Sequence, residues 1–556
     1  MQQIKGVGVS PGRSVGPLVR MPDPISEPAA DAPLPDGDRE AAAAAIGDAA
    51  AEVKADLEAR AAHASAEGKA LLEATAMMAA DPTLVSSAKK KVTAQGTAAP
   101  RAVWEAAAEV AAMLESLGGY MAERARDVQD VRDRVVAVLT GRPAPGVPAR
   151  DEPFVLAALD LAPADTATLD PQACVGLVTA QGGPTSHTAI LAKALGLPAV
   201  VAAPGVLDIE EGTTVLVDGS AGTVGLNPDE DTIARVLAAK SVQLTFDGDG
   251  ATSDGHPVQL LANVGDGKDV AGAVAANAQG VGLFRTEFCF LDRPEAPSIA
   301  EQVQMYREVF AGFPGKKVVV RTLDAGADKP LPFLTNMEEE NPALGVRGYR
   351  TALRSPEVLD DQLTAIAEAA RAEDADVWVM APMVSTVDEA RTFVEQCLAH
   401  DLTMAGVMIE TPAAAVTSDH ILEHAMFASL GTNDLGQYTM AADRLMGELA
   451  ALNDPWQPAV LRMVRASVEG GNANERPVGV CGEAASDPAL AVVLVGLGVA
   501  SLSMTPRSIA AVATVLARTS LPECRRLAKV AIDAPTAGAG RAAVRASLEV
   551  LDELGL

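Results

Sequence analysis

Eight short apolar runs recur through the second half of the chain, and their number constrains the fold more than any other feature. They are VQLLANV, GVGLFRTEF, KVVVRTLD, VWVMAPM, AGVMIETP, MFASLGTND, PVGVCGEA and ASLSMTP, with helical patterns between them. Apolar runs that alternate with helices are typical of parallel strands covered by helices. Eight such units predict a (β/α)8 TIM-type barrel over residues 255–556, and a large open α/β sheet is the main alternative.

The first half of the chain divides into segments of different pattern. Residues 1–20 contain a strand-like run, IKGVGVS, and predict the first strand of an α/β domain. Residues 21–143 are rich in Ala, Glu, Lys, Arg and Leu with helical spacing, which predicts a helical bundle. Residues 144–227 alternate apolar runs with helical stretches and predict the rest of the α/β domain, and 228–254 predict a linker helix and connection. Because 556 residues exceed one compact core, we expect a multidomain α/β protein.

Charge, cysteine spacing and hydropathy argue against several classes of protein. The chain has 74 acidic and 44 basic residues, a formal net charge of −30. Nucleic-acid binding needs clustered Lys and Arg, so this balance favours a basic protein partner or a divalent cation instead. The cysteines show no CxxC spacing, so the sequence predicts neither a zinc site nor a disulfide framework. The chain has no bilayer-length apolar run and no signal-peptide core, so we expect a cytoplasmic protein without membrane insertion.

Charged and polar residues stand where the predicted barrel strands end. They are Arg285, Arg321, Glu410, Asn433, Asp434 and Cys481, and Arg444 follows a little after the sixth strand. The carboxyl ends of barrel strands converge on one face, which carries the active site. Turn-forming residues alone would not account for arginines, carboxylates and a cysteine that converge from five strands. The pattern therefore predicts an active site on this face.

The residue types indicate the chemistry of that site. Arginines bind phosphate and carboxylate oxygens in a bidentate manner. Glu410 and Asp434 supply two hard oxygen ligands, which suits a Mg²⁺ ion that keeps waters and ligand oxygens. Cys481 has three interpretations: a small buried hydrophobic residue, a nucleophile, or a proton donor. A thiol near its reference pKa of about 8.5 is mostly protonated at neutral pH, so proton donor is the favoured role.

A single histidine follows a glycine-rich turn in the stretch GGPTSHTAILAKALG. Thr185 or Ser186 is a natural N-cap, which places His187 in the first turn of a helix that ends at Gly196. The helix dipole disfavours a cationic imidazole there, so the pKa of His187 should fall and the neutral, nucleophilic ring should prevail. Free N–H groups at a helix start also favour an anion such as a phosphoryl group. An ordinary capping-region histidine is the alternative.

GGPTSHTAILAKALGLPAVV resembles the phosphohistidine signature of enzyme I of the sugar phosphotransferase system, phosphoenolpyruvate synthase and pyruvate phosphate dikinase. The runs GVGLFRTEFCFLDR, VVVRTLDAGADK, ENPALGVRGYR, GVMIETPAAA, SLGTNDLGQYTMAADR and GVCGEAASDP are similar to the phosphoenolpyruvate-binding domain of the same superfamily. IKGVGVSPGRSVGPLV and YMAERARDVQDVRDRVVAVLTG resemble the enzyme I family in particular. The chain is thereby identified as an enzyme I-like phosphoenolpyruvate–protein phosphotransferase.

The resemblance implies a role for each residue at a matching position. His187 would be the phosphohistidine intermediate, and Cys481 would protonate the enolate to give pyruvate. Glu410 and Asp434 would bind Mg²⁺. Phosphoenolpyruvate (PEP) would be bound by side chains from several strand ends: Arg285, Arg321, Asn433, Asp434 and Arg444, with Arg347 and Lys329 as neighbours.

The resemblance also implies partners. The phosphoryl group would pass from His187 to a histidine of the small carrier protein HPr, as the first step of sugar transport by the phosphotransferase system. The helical block would dock HPr, with Met77 and Met78 in the docking surface, and the barrel would form a homodimer. Pro184 and Ala180 depart from the family, which usually has an arginine and often an acid there. These changes are expected to weaken phosphate stabilisation or slow transfer without abolishing activity.

Two other functions stay open at this point. A PEP synthase or pyruvate phosphate dikinase would use a nucleotide, but the chain has no ATP-grasp segment. A regulatory protein without catalytic activity would use only the helical block for docking, but the arginines, carboxylates and cysteine of the barrel argue against it.

Overall fold

The structure, a computed structural model, divides into two compact units, Met1–Glu230 and Asp231–Leu556. The ranges that it describes are 2–22, 25–30, 33–61, 75–117, 119–148, 150, 152–161, 169–170, 172–183, 186–240, 244–291, 293–326, 331–335, 339–444, 446 and 449–556. Among these residues, no helix combines the length and the apolar character needed to cross a bilayer.

The helical part of the first unit matches the alanine-rich block of the sequence. Its helices are α1 (Arg39–Ala61), α2 (Pro82–Gln95), α3 (Ala99–Leu117) and α4 (Gly119–Thr140). The Asp81 side chain caps α2 by accepting from the amides of Thr83 and Leu84, and Gly96 ends the helix with a φ of 71°. Alanine and valine side chains fill the space between the helices, so the helices pack closely.

The rest of the first unit is an eight-stranded sheet of order β1-β8-β7-β3-β4-β5-β6-β2. The strands are β1 (Gln2–Lys5), β2 (Val7–Ser10), β3 (Arg13–Arg20), β4 (Phe154–Ala158), β5 (Cys174–Thr179), β6 (Ala199–Val201), β7 (Thr214–Asp218) and β8 (Thr223–Leu226). β3 pairs with β4 in parallel, although the helical block separates them in sequence. The helical block is therefore an insertion into the α/β domain, as the sequence predicted.

Residues 2–20 form three strands where the sequence predicted one. The breaks fall at two glycines. Gly12 has a φ of 108°, which disfavours other residues, and a Cβ on Gly6 would lie 2.5 Å from the carbonyl oxygen of Val201. The chain therefore turns at these positions, and β1 and β2 lie at opposite edges of the sheet.

The second unit begins with helix α6 (Glu230–Lys240), in the segment predicted as a linker helix, and contains a closed barrel of eight parallel strands. The strands are β9 (Gln259–Val264), β10 (Gly280–Arg285), β11 (Lys317–Arg321), β12 (Asp376–Val384), β13 (Ala405–Ile409), β14 (Ala428–Leu430), β15 (Val478–Val480) and β16 (Ser501–Met504). β16 pairs in parallel with β9 and closes the barrel. The predicted barrel is confirmed, and the open sheet is wrong.

Helices cover the outside of the barrel. They are α7 (Gly267–Ala275), α8 (Ile299–Phe310), α9 (Pro356–Ala372), α10 (Val387–Ala399), α11 (Pro412–Val416), α12 (Ser418–Ile421), α13 (Thr432–Met440), α14 (Pro458–Ala473), α15 (Pro488–Gly496), α16 (Pro506–Ala517), α17 (Leu521–Asp533), α18 (Ala537–Arg545) and α19 (Glu549–Leu554). Inside the barrel, Leu283, Val319, Met380, Met408 and Phe427 pack in one cluster with Cys481. The lumen is thus a packed core, and the open face lies where the strands end.

Candidate active site at the carboxyl ends of the barrel strands

Arg321 ends β11 and makes ion pairs with two carboxylates. One guanidinium nitrogen contacts the Glu287 carboxylate, and the other lies 3.1 Å from Oδ2 of Asp324. Burial opposes the positive charge, but Glu287 and Asp324 outweigh it and raise the pKa of Arg321. The side chain is therefore a permanent cation within the barrel mouth.

Arg347 and Arg444 lie on either side of Asp434. The Arg347 guanidinium is 3.2 Å from Oδ1 of Asp434, and that of Arg444 is 3.4 Å from Oδ2. Arg347 is fully buried, lies 3.7 Å from Oδ1 of Asp324 and donates a 3.3 Å hydrogen bond to the Tyr438 hydroxyl. Each oxygen of the Asp434 carboxylate thus lies beside a different guanidinium group.

Glu410 follows β13 and is buried beside two other acids. One carboxylate oxygen accepts a 2.9 Å hydrogen bond from the backbone amide of Met383. Burial and then repulsion from Asp434 and Asp324 raise the pKa of Glu410 to about 8. Met383 has a φ of 61°, a strained value for a residue with a side chain, and this conformation occurs in a β12 segment where the strand register shifts.

Two carboxylates that repel each other are a donor set that fits a divalent cation. The described residues contain no cluster of three or more His, Cys, Asp or Glu side chains disposed to hold a metal. The two carboxylates of Glu410 and Asp434 are hard oxygen donors, which fit an ion such as Mg²⁺ that keeps waters and takes further oxygens from its substrate. A closed calcium cage would need more oxygen ligands than these two side chains supply.

Cys481 follows β15 and lies at the top of the packed lumen. Its thiol donates to the Leu430 carbonyl at 3.6 Å. Burial raises the pKa of Cys481 to about 11, although a hydrogen bond with the Ser429 side chain acts in the opposite direction. A thiol with this pKa is neutral at physiological pH and is suited to donate a proton rather than to attack as a thiolate.

Asn433 and Arg285 complete the set from the sequence. The Asn433 side-chain oxygen accepts from the Glu483 amide at 3.4 Å and so holds the segment after β15 beside the start of α13. Arg285 ends β10 with its side chain exposed to solvent. Six of the seven barrel residues lie where strands end or helices begin, and Arg444 lies in the loop after α13. Lys329 lies outside the described residues.

Helix α5 (His187–Leu195) begins at the predicted position in the first unit. The Ser186 side chain caps it by accepting from the Ala189 amide, and Gly196 ends it with a φ of 68°. The Thr188 hydroxyl donates to Asp160 at 2.8 Å and ties the first turn to the segment after β4. The backbone of His187 is described, but its side chain is not, and Pro184 and Thr185 lie outside the described residues. Ala180 packs against a core of the α/β domain.

The sequence did not assign a role to several polar side chains of the barrel mouth. Glu287 and Asp324 form ion pairs with Arg321, and Asn263 donates a 3.2 Å hydrogen bond to the Cys481 carbonyl. Asn263 stands near the end of the apolar run VQLLANV. A polar residue at the end of an apolar run is the pattern that identified the other site residues, so the same pattern could have identified Asn263.

Three sequence families match consecutive parts of the chain. A PEP-utilising enzyme N-terminal domain matches residues 5–124, a PEP-utilising enzyme mobile domain matches 150–222, and a PEP-utilising enzyme PEP-binding domain matches 241–521. The last match contains every barrel residue discussed above, and the mobile-domain match contains His187.

Two relatives resemble the chain over almost its whole length. A phosphoenolpyruvate-protein phosphotransferase of Streptomyces coelicolor is 51% identical over 98% of this chain and 99% of the relative. A phosphoenolpyruvate-protein phosphotransferase of Haloferax volcanii is 40% identical over 96% of this chain and 97% of the relative. A solution structure of an enzyme I protein is 32% identical over 43% of this chain and 98% of that chain, with a TM-score of 0.37.

Proposed function

The chain belongs to the family of phosphoenolpyruvate-utilising enzymes, and we propose that it is a phosphotransferase that moves the phosphoryl group of PEP to its own His187 and then to a histidine of HPr. The observation that carries the proposal is the convergence of Arg321, Arg347, Glu410 and Asp434 at the barrel mouth. PEP carries a phosphate and a carboxylate, and buried arginines beside a cation site suit both groups.

Different barrel residues bind PEP and the metal ion. Arg285, Arg321 and Arg444 neutralise the phosphate and carboxylate of PEP, and the Asn433 amide supplies a neutral hydrogen-bonding group. Glu410 and Asp434 would hold Mg²⁺, which when bound would supply positive charge to offset the negative charge of the phosphoryl group. Transfer of a phosphoryl group needs mainly positioning and electrostatic stabilisation, so this arrangement of fixed charges is the main contribution of the protein.

His187 and Cys481 react with different fragments of PEP: His187 with the phosphoryl group and Cys481 with the enolate. The bond from phosphorus to the enol oxygen of PEP breaks as a phosphorus–nitrogen bond to the neutral His187 ring forms. The enolate left behind takes the thiol proton of Cys481 at its methylene carbon and becomes pyruvate, and the thiolate regains a proton from water. The amides at the start of α5 then face a negatively charged phosphoryl group, which favours the product.

The helical block supports the proposed transfer to HPr. Met77 is 69% exposed at this block, and exposed methionines form adaptable contact surfaces. The net charge of −30 would steer a basic carrier towards the protein. We further propose that the protein acts in the cytoplasm and dimerises through its barrel, and that Pro184 and Ala180 slow transfer without preventing it.

Radiolabelled PEP tests the proposed function. With Mg²⁺, the wild-type protein should acquire acid-labile, base-stable label and pass it to purified HPr, and omission of Mg²⁺ should suppress both steps. His187→Ala should acquire no label, because no nucleophile remains. Cys481→Ser should form pyruvate more slowly, because an alcohol is a weaker acid than a thiol, while phosphohistidine still forms.

The controls separate this proposal from its alternatives. Transfer to HPr by His187→Ala would contradict it. A requirement for ATP or AMP would indicate a synthase or dikinase, and an unlabelled wild-type protein would indicate a regulatory role. A His256→Ala variant is a matched control, because the exposed His256 precedes the amino end of β9, in a turn closed by Thr252, and should leave labelling unchanged.

A further inference from the structure

A short chain of hydrogen bonds crosses three barrel strands and ends on the backbone of Cys481. The Ser503 hydroxyl on β16 lies 2.6 Å from Oδ1 of Asn263 on β9. Nδ2 of Asn263 donates to the Cys481 carbonyl at 3.2 Å. β9 pairs with β10 and β16 but not with β15, so the Asn263 side chain reaches past β16 to the segment after β15.

The partners fix the orientation of the Asn263 amide. The Cys481 carbonyl can only accept, so the amide must turn its nitrogen towards Cys481. The amide oxygen then faces the Ser503 hydroxyl, whose single hydrogen is shared between this oxygen at 2.6 Å and the Ala262 carbonyl at 3.1 Å. The contact with the Cys481 carbonyl therefore decides the orientation of the amide, and the Ser503 hydroxyl is compatible with it.

The packing of the lumen leaves Ser503 little freedom. A Cβ on Gly282 would lie 2.5 Å from both Cβ and Oγ of Ser503. Asn263 is the register partner of Leu283, which belongs to the same lumen cluster as Cys481. Ser503 is therefore confined by its neighbours, and Asn263 lies on the side of the sheet that Cys481 occupies.

The position of the Cys481 thiol depends on these backbone contacts. A cysteine side chain has one torsion with three staggered positions, and the 3.6 Å contact of the thiol with the Leu430 carbonyl corresponds to one of them. The Cys481 amide donates to the Leu430 carbonyl at 3.1 Å, and the Cys481 carbonyl accepts from Asn263. Residue 482 is a glycine, and a Cβ there would lie 2.0 Å from Oγ1 of Thr432. Position 482 therefore has no side chain that could hold the segment in place. The hydrogen bonds at the two ends of Cys481 thus hold the backbone from which the thiol projects.

We propose that Asn263, itself held by Ser503, is a positioning residue that aims the Cys481 thiol at the enolate. The proposal rests on the function proposed above, in which the sulfur–hydrogen bond breaks as a carbon–hydrogen bond forms at the enolate methylene. Asn263 acts through the Cys481 backbone and takes no part in breaking the phosphorus–oxygen bond. Its loss should therefore slow protonation and spare phosphoryl transfer.

The two steps are separated by a single-turnover experiment on the full-length protein with [³²P]PEP and Mg²⁺. Label on His187 reports phosphoryl transfer, and lactate dehydrogenase, which reduces the keto form of pyruvate, reports protonation continuously. In the wild-type protein both signals should rise together. In Asn263→Ala, label should appear within about threefold of the wild-type rate, while pyruvate should appear about 10- to 100-fold more slowly, the range for a misplaced catalytic group.

Three further variants exclude a general loss of structure. Asn263→Asp keeps the shape but replaces the donor by an acceptor that faces the Cys481 carbonyl, so it should delay pyruvate at least as much as Asn263→Ala. Ser503→Ala removes only the hydrogen-bond partner of the Asn263 amide oxygen. It should therefore delay pyruvate less than Asn263→Ala does. Ser501→Ala is the matched control, because the same change two residues earlier on β16, beside Gly479, should give no delay.

The outcomes decide between the two proposals. If pyruvate stays in step with label in Asn263→Ala and Asn263→Asp, the positioning role is wrong. Equal slowing of both signals would also contradict it, because that result indicates a structural role. A wild-type protein that acquires no label would instead refute the proposed function, so the two failures are distinguishable.

Discussion

Glu410 is a carboxyl group whose ionisation opposes folding. Its ordinary pKa of 4.5 is raised to about 8 by burial, with further repulsion from Asp434 and Asp324. Between these two values the folded state binds a proton that the unfolded state has lost. The free energy of unfolding therefore falls as the pH rises through this window, and the cost is complete above the folded pKa.

We expect Glu410→Gln to stabilise the metal-free protein, and to do so more at pH 8.5 than at pH 5. Glutamine keeps an oxygen that can accept from the Met383 amide but carries no charge to desolvate. The measurement is the difference in melting temperature between variant and wild type at both pH values, in EDTA and without PEP. A pH-independent difference would contradict the raised pKa of Glu410.

Glu301 provides a control of the opposite sign. Hydrogen bonds from Ser298 and an ion pair with Arg293 lower the pKa of this exposed residue to about 2. Ionisation of Glu301 therefore favours the folded state above pH 4.5. Glu301→Gln should remove a small stabilisation at both pH 5 and pH 8.5, without the pH dependence expected for Glu410→Gln.

At the level of single residues, the sequence indicated which residues stand at the ends of barrel strands, but not which side chains form ion pairs with each other. Glu410, Asp434 and Cys481 were predictable because parallel barrel strands deliver their last residues to one face. The ion pairs of Arg347 were not predictable, because this residue stands in a long segment after β11 that no periodic pattern places. Met383 gave no signal either, since a positive φ at a residue with a side chain is imposed by the surrounding fold.

Helix α15 shows how one side chain can stabilise a whole element. Residues 488–495 of this helix are all buried, so its first amides are far from solvent. The Asp487 carboxylate accepts from the amides of Ala489 and Leu490 and, at 2.9 Å, from the indole nitrogen of the buried Trp456. One carboxylate thus satisfies three donors that have little access to water.

We expect Asp487→Ala to lower the free energy of unfolding of the barrel by about 2–4 kcal/mol, from a lost helix cap and an unsatisfied buried indole. Denaturation by guanidinium chloride measures this loss. Asp266→Ala is the matched control, because Asp266 caps α7 through the Lys268 amide alone and its loss should cost about 1 kcal/mol. Equal losses in the two variants would show that the Trp456 hydrogen bond contributes nothing.

Secondary-structure elements were predicted where both faces of a strand are buried. The barrel strands β9–β16 are almost continuously apolar and stand between helices, so all eight were found. Residues 2–20 were predicted as one strand because β1 is mostly exposed, and its short run merges with the next across Gly6. The separation into β1, β2 and β3 depends on backbone approaches from distant parts of the chain, which local sequence does not show.

On the scale of the whole molecule, the chain has two units with separate cores. We expect two thermal transitions in calorimetry, one for each unit. In a His187→Ala background, which accepts no phosphoryl group, PEP with Mg²⁺ should stabilise only Asp231–Leu556, by about 2.7 kcal/mol at a ligand concentration 100-fold above Kd, and so shift only its transition. A Glu410→Gln, Asp434→Asn double variant should show the same two transitions without this shift. A shift of both transitions, or of the Met1–Glu230 transition alone, would place the ligand elsewhere.

The pairing of β9 with β16 has a consequence for synthesis in the cell. The first barrel strand leaves the ribosome long before its last neighbour, and translation proceeds at about 5–20 residues per second. One edge of β9 therefore lacks its partner for on the order of tens of seconds, exposed to neighbouring nascent chains. Translation speed and chaperone supply, rather than the equilibrium stability of the finished barrel, should then limit the yield of this protein.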